Sequence, residues 1–99
     1  MPRFTVRLEM HSTPLDEYKQ IHEDMRNEGF SKEISASNGR VFALPKGEYN
    51  FEGDVSIKDV LNIVKKVAEK SGRRFEVLVT QSNFRIWYGL GELTDVADW

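Results

Sequence analysis

The sequence predicts an α+β fold in which two helices cover one face of a sheet, and three observations carry that expectation. From Arg3 to His11, the apolar residues Phe4, Val6, Leu8 and Met10 alternate with Arg3, Thr5, Arg7, Glu9 and His11. Successive side chains of a strand point to opposite faces, so this strand has one apolar and one polar face. Such a strand belongs to a sheet that is covered on one side and open on the other. Two later segments repeat apolar residues at helical spacing, and each stops at a glycine, Gly29 and Gly72. Short alternating runs bounded by turn residues follow each of them.

Ser12-Thr13-Pro14 comes after the first strand. Thr13 is a capping residue type, and Pro14 suits the first helical position. Leu15, Tyr18, Ile21, His22 and Met25 then share one helical face, which places the first helix at about Pro14 to Glu28. Phe30 to Ala36 is extended, and Ser37-Asn38-Gly39-Arg40 is a hairpin turn because Asn and Gly tolerate positive φ. Arg40 to Leu44 returns as a strand, Pro45-Lys46-Gly47 interrupts it with a bulge, kink or edge, and Glu48 to Glu52 resumes. Ser56 caps the second helix with Asp59 in the box position, and Ile57, Val60, Leu61, Val64 and Ala68 form its buried stripe. Phe75 to Thr80 is a clear strand, Gln81-Ser82-Asn83 a turn, and Phe84 to Leu90 a further strand rich in aromatics, before a short acidic tail over about 91–99. The order strand, helix, strand, strand, helix, strand is the ferredoxin-like βαββαβ sandwich, here with an additional C-terminal strand. Right-handed crossovers put both helices on one face, in agreement with the two-faced first strand.

The chain of 99 residues fits a single domain, because halves would be too small for separate cores. Lys and Arg number 14 against 16 Asp and Glu, a net charge of -2, which is not the profile of a general nucleic-acid coat. Nucleic-acid binding would need a local basic patch. The absence of cysteine excludes disulfides, thiolate metal sites and cysteine nucleophiles. No apolar run approaches a membrane span, and the amino terminus lacks the apolar region of a secretory signal, so a cytoplasmic protein is expected.

The chemistry-bearing residues are few. Glu9 and His11 lie two apart on the polar strand face, where a carboxylate and an imidazole can hold a divalent metal or perform acid–base chemistry. The plain alternative is a solvated strand end with Glu9 paired to an arginine. His22 borders the apolar stripe of the first helix, as a third catalytic candidate or as a boundary residue of the core. Arg3, Arg7, Arg73, Arg74 and Arg85 fall on strands or strand ends and could gather to bind phosphate, with Phe84, Trp87 and Tyr88 as stacking surfaces for unpaired bases. Against this, arginines also solubilise a sheet face and aromatics line cores. The Phe84–Tyr88 segment is open to two arrangements, a hairpin within the chain or addition to a second subunit's sheet as a homodimer. No phosphate-cradling glycine loop, HExxH or Ser-His-Asp pattern is present.

Asn27-Glu28-Gly29-Phe30-Ser31, the hairpin after it, and Phe51 to Val64 entering the second helix match a known family in hydrophobic pattern and turn spacing. In these stretches the chain resembles the GhoS-like antitoxins of type V toxin–antitoxin systems, whose fold is like that of Cas2. The resemblance implies a ferredoxin-like domain acting as a sequence-selective endoribonuclease on toxin messenger RNA. In Cas2-like proteins an aromatic-Asp-aliphatic triplet ends the first strand, and its Asp is linked to metal and nuclease activity. The corresponding triplet here is Leu8-Glu9-Met10, which keeps an acid and lacks the aromatic. Gln20 and His22 occupy the helix positions where the antitoxin family carries functional basic residues. Two further readings stand beside the ribonuclease. One is a non-catalytic protein that binds another protein, for example an anti-CRISPR-type blocker, and the other is a non-catalytic RNA-binding module.

Overall fold

The computed structural model describes residues 1–93. Its elements in chain order are β1 (Arg3–Met10), α1 (Leu15–Asn27), β2 (Glu33–Ser35), β3 (Val41–Ala43), β4 (Glu48–Glu52), α2 (Ile57–Glu69), β5 (Phe75–Gln81) and β6 (Glu92–Leu93). They form a mixed α+β structure of two helices and two three-stranded antiparallel sheets, ordered β4-β1-β5 and β2-β3-β6.

The alternation of β1 becomes the organising surface. Phe4, Val6 and Leu8 are buried and meet Ile21 and Met25 of α1 and Val60, Val64 and Ala68 of α2 in one core. Tyr49, opposite Val6 on β4, is the largest fully buried side chain of that core. Both helices therefore lie against the apolar face. Within the helical stripes two expected core residues turn outward: Leu15 is 70% exposed and Ile57 is 40% exposed. Each stands in the first turn of its helix, while Val67 of α2 joins the core instead.

The helix starts differ in how they are satisfied. Ser56 and Asp59 form the expected reciprocal capping box, with both hydrogen bonds at 3.1 Å. The expected Thr13 cap is not formed. Pro14 is the N-cap, and the Thr13 hydroxyl turns back to donate to the His11 carbonyl at 3.0 Å. The Asn38-Gly39 turn joins β2 to β3 as expected, with Gly39 at φ 86° and Asn38 Oδ1 accepting from the Arg40 amide at 3.0 Å.

Two strand expectations are corrected. The run from Arg40 to Glu52 is not one interrupted strand, because Pro45-Lys46-Gly47 sends β3 and β4 into different sheets. Ser31 alone bridges to Asn50 at the outer edge of β4, and the β2–β3 hairpin then leaves to pair with β6. Phe84 to Leu90 is not a strand. The Arg85 guanidinium donates to Thr5 Oγ1 at 3.2 Å and to Asn50 Oδ1 at 2.8 Å, which draws the segment across the polar face of β1 and away from the free edge of β5. Ladder pairing returns only at β6, where the Arg40–Glu92 ion pair at 2.6 Å joins it to the hairpin. The polar face of β1 is thus open only over its carboxyl half, where Arg7 and Glu9 are exposed. The acidic tail after Leu93 lies outside the described residues.

Gly47 has a structural duty that no other residue type fits. It sits at φ 84° with its carbonyl accepting from the Leu8 amide at 2.7 Å, and an added Cβ would stand 3.0 Å from the Leu8 carbonyl oxygen. A left-handed conformation costs an L-residue about 1–2 kcal/mol, and the carbonyl contact adds to it. Gly47→Ala should therefore lower the urea midpoint by at least that equivalent. An unchanged midpoint would mean the loop relaxes freely.

Candidate functional site

β4 begins at Glu48, opposite Arg7, so the same edge of β1 is left without a ladder partner from Leu8 onward, apart from the Gly47 carbonyl. A depression of about 510 Å³ opens beside that edge, with Glu9, Ser12 and Gly47 in its wall. A second, of about 630 Å³, runs along α1 past His22 and Lys32. The two share Thr13, Tyr18 and Lys46, and so form one groove with Glu9 at one end and His22 at the other.

The His22 end is held from the core. Its Nδ1 is hydrogen-bonded to the Tyr49 hydroxyl, the polar tip of the otherwise buried ring. The Tyr18 ring stands edge-on to the imidazole, with centroids 4.6 Å apart at 76°. Lys32 reaches over the Tyr49 ring, its ammonium 4.5 Å from the centroid, and donates to the Glu48 carbonyl at 3.0 Å. Lys46 stands 5.8 Å over the Tyr18 ring. Burial, and then the Lys32 charge, push the His22 imidazole down to about 4, so it is neutral at physiological pH. Burial also lowers Lys32 and raises the Tyr49 and Tyr18 phenols, the latter helped by the Glu9 charge. The groove therefore carries the neutral imidazole and the Tyr18 phenol, with Tyr49 behind them, among the basic side chains of Arg7, Lys19, Lys32 and Lys46 and the acidic side chains of Glu9 and Glu23.

The other sequence candidates are dispersed. His11 does not share the groove. Its Nε2 is 2.7 Å from Glu76 of β5, a contact that holds the Glu76 carboxyl below the usual range. Glu9 faces Glu76 across the β1–β5 ladder. Among the described residues, no group of three His, Asp or Glu side chains is arranged to hold a metal ion. Of the five arginines, Arg73 is tied to Glu17 of α1 at 2.8 Å, Arg74 is exposed just before β5, and Arg7 lines the Glu9 end of the groove. Arg3 and Arg85 line a separate cleft at the other end of β1.

Sequence reasoning missed Tyr18, Lys32, Lys46 and Tyr49 as site residues. Tyr18 and Tyr49 stood in apolar patterns that read equally well as core. The two lysines lie between elements, and only the packing of those loops against α1 gives them a common neighbour.

No family model matches the chain, and no curated protein matches it. No helix among the described residues is long and apolar enough to cross a membrane.

The His22 environment has a measurable pH consequence. An unfolded histidine titrates near about 6.5. Between that value and about 4, the unfolded chain binds a proton that folded His22 refuses. Stability therefore rises with pH through this window, falls on acidification, and loses the whole His22 contribution below the folded value. His22→Gln should flatten the dependence of the urea midpoint on pH across the same interval. Equal slopes for wild type and variant would show that His22 is not held neutral by the fold.

Proposed function

We propose that this chain is a ferredoxin-like, antitoxin-type endoribonuclease that cleaves the messenger RNA of a toxin, with the Glu9–His22 groove as its active site. The observation that carries the reading is a neutral imidazole, fixed by Tyr49, in a solvent-open groove that also holds Lys32 and Lys46. The strand order β4-β1-β5, with Ser31 bridging the outer edge of β4, supports the ferredoxin-like plan, since that bridge stands where a fourth strand would pair. The resemblance to GhoS-like antitoxins supplies the substrate class.

The chemistry available is transfer of the phosphodiester to its own 2′-hydroxyl. His22 accepts the hydroxyl proton as the 2′-oxygen attacks phosphorus. Lys32 and Lys46 offset the charge that gathers on the non-bridging oxygens. Water protonates the departing 5′-oxygen, leaving a 2′,3′-cyclic phosphate. An imidazole held at about 4 by burial and then by Lys32 is a weak base in the resting groove, and a phosphodiester beside Lys32 opposes the second, smaller of these causes. Tyr18 offers a ring face to a base next to the scissile bond.

A second reading, a non-catalytic interaction protein, is favoured by one observation. Phe84, Ile86 and Tyr88 are 93%, 97% and 99% exposed on one side of the segment that crosses the sheet, where another protein or a second copy of the chain could seat.

Purified protein incubated with a mixed pool of structured and single-stranded RNA separates the readings. Cleavage ending in 2′,3′-cyclic phosphate should fall by about 10²–10⁴-fold in His22→Ala. His11→Ala should cleave as wild type does. Equal cleavage by His22→Ala would remove the imidazole from the mechanism. No cleavage by wild type, with or without divalent metal, would sink the enzyme reading in favour of the interaction protein.

A further inference from the structure

At the amino end of β1, a cleft of about 350 Å³ lies between the two sheets. Arg3, Arg85 and Trp87 line it, together with Ser35 and Ser37 from the end of β2 and its turn. The arginines come from opposite ends of the described chain and meet only through the fold. Both are held by neutral groups. Arg3 Nη2 donates to the Asn83 carbonyl at 2.8 Å, and Arg85 Nη1 donates to Thr5 and Asn50. Among the described residues neither guanidinium has a carboxylate within ion-pair distance.

The Nε atoms of both arginines are buried without a hydrogen-bond partner among the described residues, and so is the hydroxyl oxygen of nearby Ser82. Buried polar groups are nearly always paired, so three orphans in one neighbourhood require an explanation. Like charges held together add to the cost. Burial and the Arg3 charge both work against the protonated form of Arg85, opposed by Glu52 from beyond ion-pair distance. An oxyanion supplies what the cleft lacks, namely negative charge and several lone pairs, and a guanidinium can grip it through Nε and Nη together. Trp87 stands in the same cleft with its ring packed 5.7 Å from Phe42, an aromatic fixed beside the two charges.

We infer that Arg3 and Arg85 bind a backbone phosphate of single-stranded RNA in this cleft, with Trp87 as the platform for the adjoining base. The choice of RNA rests on the ribonuclease reading, whereas the phosphate chemistry does not. The cleft and the catalytic groove occupy opposite ends of β1 and share no lining residue, so they can be tested apart. A strand anchored at one end of β1 while cleaved elsewhere would account for selectivity beyond the scissile step.

The test is a proton–nitrogen NMR titration of the full chain, following the Nε–H signals of Arg3 and Arg85 and the Trp87 indole N–H. The titrants are inorganic phosphate, adenosine monophosphate and a single-stranded hexa-adenylate, with chloride at matched ionic strength as control. Both Nε–H signals should shift saturably with all three phosphates and not with chloride. The indole should respond only to the two nucleotides. Adenosine monophosphate should bind at least about tenfold tighter than inorganic phosphate, the worth of one stacked base, and the hexa-adenylate, with its neighbouring phosphates, tighter still. Arg3→Gln should weaken the oligonucleotide and reduce the slope of log affinity against log salt by about 0.7. This variant removes one backbone contact and leaves the Arg85 bonds to Thr5 and Asn50 in place, so folding is not at stake. A response to chloride equal to that for phosphate, or no response, overturns the site. Adenosine monophosphate binding as tightly as the oligonucleotide overturns the strand assignment in favour of a nucleotide pocket. His22→Ala should give the wild-type titration, so failure of the cleavage reading would leave this result standing.

Discussion

Tyr49 is the residue through which the core and the groove depend on each other. Its ring fills the centre of the apolar layer, 6.5 Å from Phe30 in a T-shaped contact, and is wholly buried. A phenol that deep must satisfy its hydroxyl, and His22 meets that hydroxyl at the edge of the core. The pairing gives the imidazole a fixed orientation and its ring nitrogen a fixed partner. Lys32 lies over the same ring, where the cation finds both the aromatic quadrupole and the Glu48 carbonyl. The bland account of His22, a boundary residue that satisfies a tyrosine, and the functional one are therefore the same contact seen from its two sides.

The groove exists because pairing stops. The β1–β4 ladder ends at Glu48, the first residue of β4, and the Pro45-Lys46-Gly47 loop before it leads back to the hairpin, leaving the edge of β1 beyond Leu8 as one wall. The cleft at the opposite end arises from the converse event, a segment that crosses the sheet face by inserting Arg85. The sheet thus carries charge-bearing cavities at both ends of its central strand, and the helices pack on the other face of that strand. Both signs of charge occur along it, with Arg7 beside the carboxylates of one end and Glu52 opposite Arg3 in the ladder at the other. Glu9 and Glu76 stand together near its carboxyl end, and Arg3 and Arg85 gather at the amino end.

Much of the scaffold was legible because it rests on local rules. The period of two in β1, the helical periods of α1 and α2, the Ser56 box and the Asn38-Gly39 turn are each decided within a few residues, and the structure has all of them. Phe84 to Leu90 misled for an instructive reason. Its alternation is genuine, with Arg85 and Trp87 turned inward and Phe84, Ile86 and Tyr88 outward, but extended backbone becomes a strand only where an edge accepts it. The bonds from Arg85 to Thr5 and Asn50 directed it elsewhere, and residues 35 and 80 positions apart leave no trace of their partnership in sequence.

The sequence by itself determined the class of structure, the two-faced central strand, the absence of cysteine chemistry, and Glu9, His11 and His22 as candidates. Only the tertiary structure decided that His11 belongs to Glu76 and that Arg73 belongs to Glu17. The same holds for the gathering of Tyr18, Lys32, Lys46 and Tyr49 around His22, and for the meeting of Arg3 with Arg85. The physical reason is one of range. Periodicity and capping act over a few residues, whereas burial, charge proximity and orphaned hydrogen bonds are properties of places where distant segments are brought together.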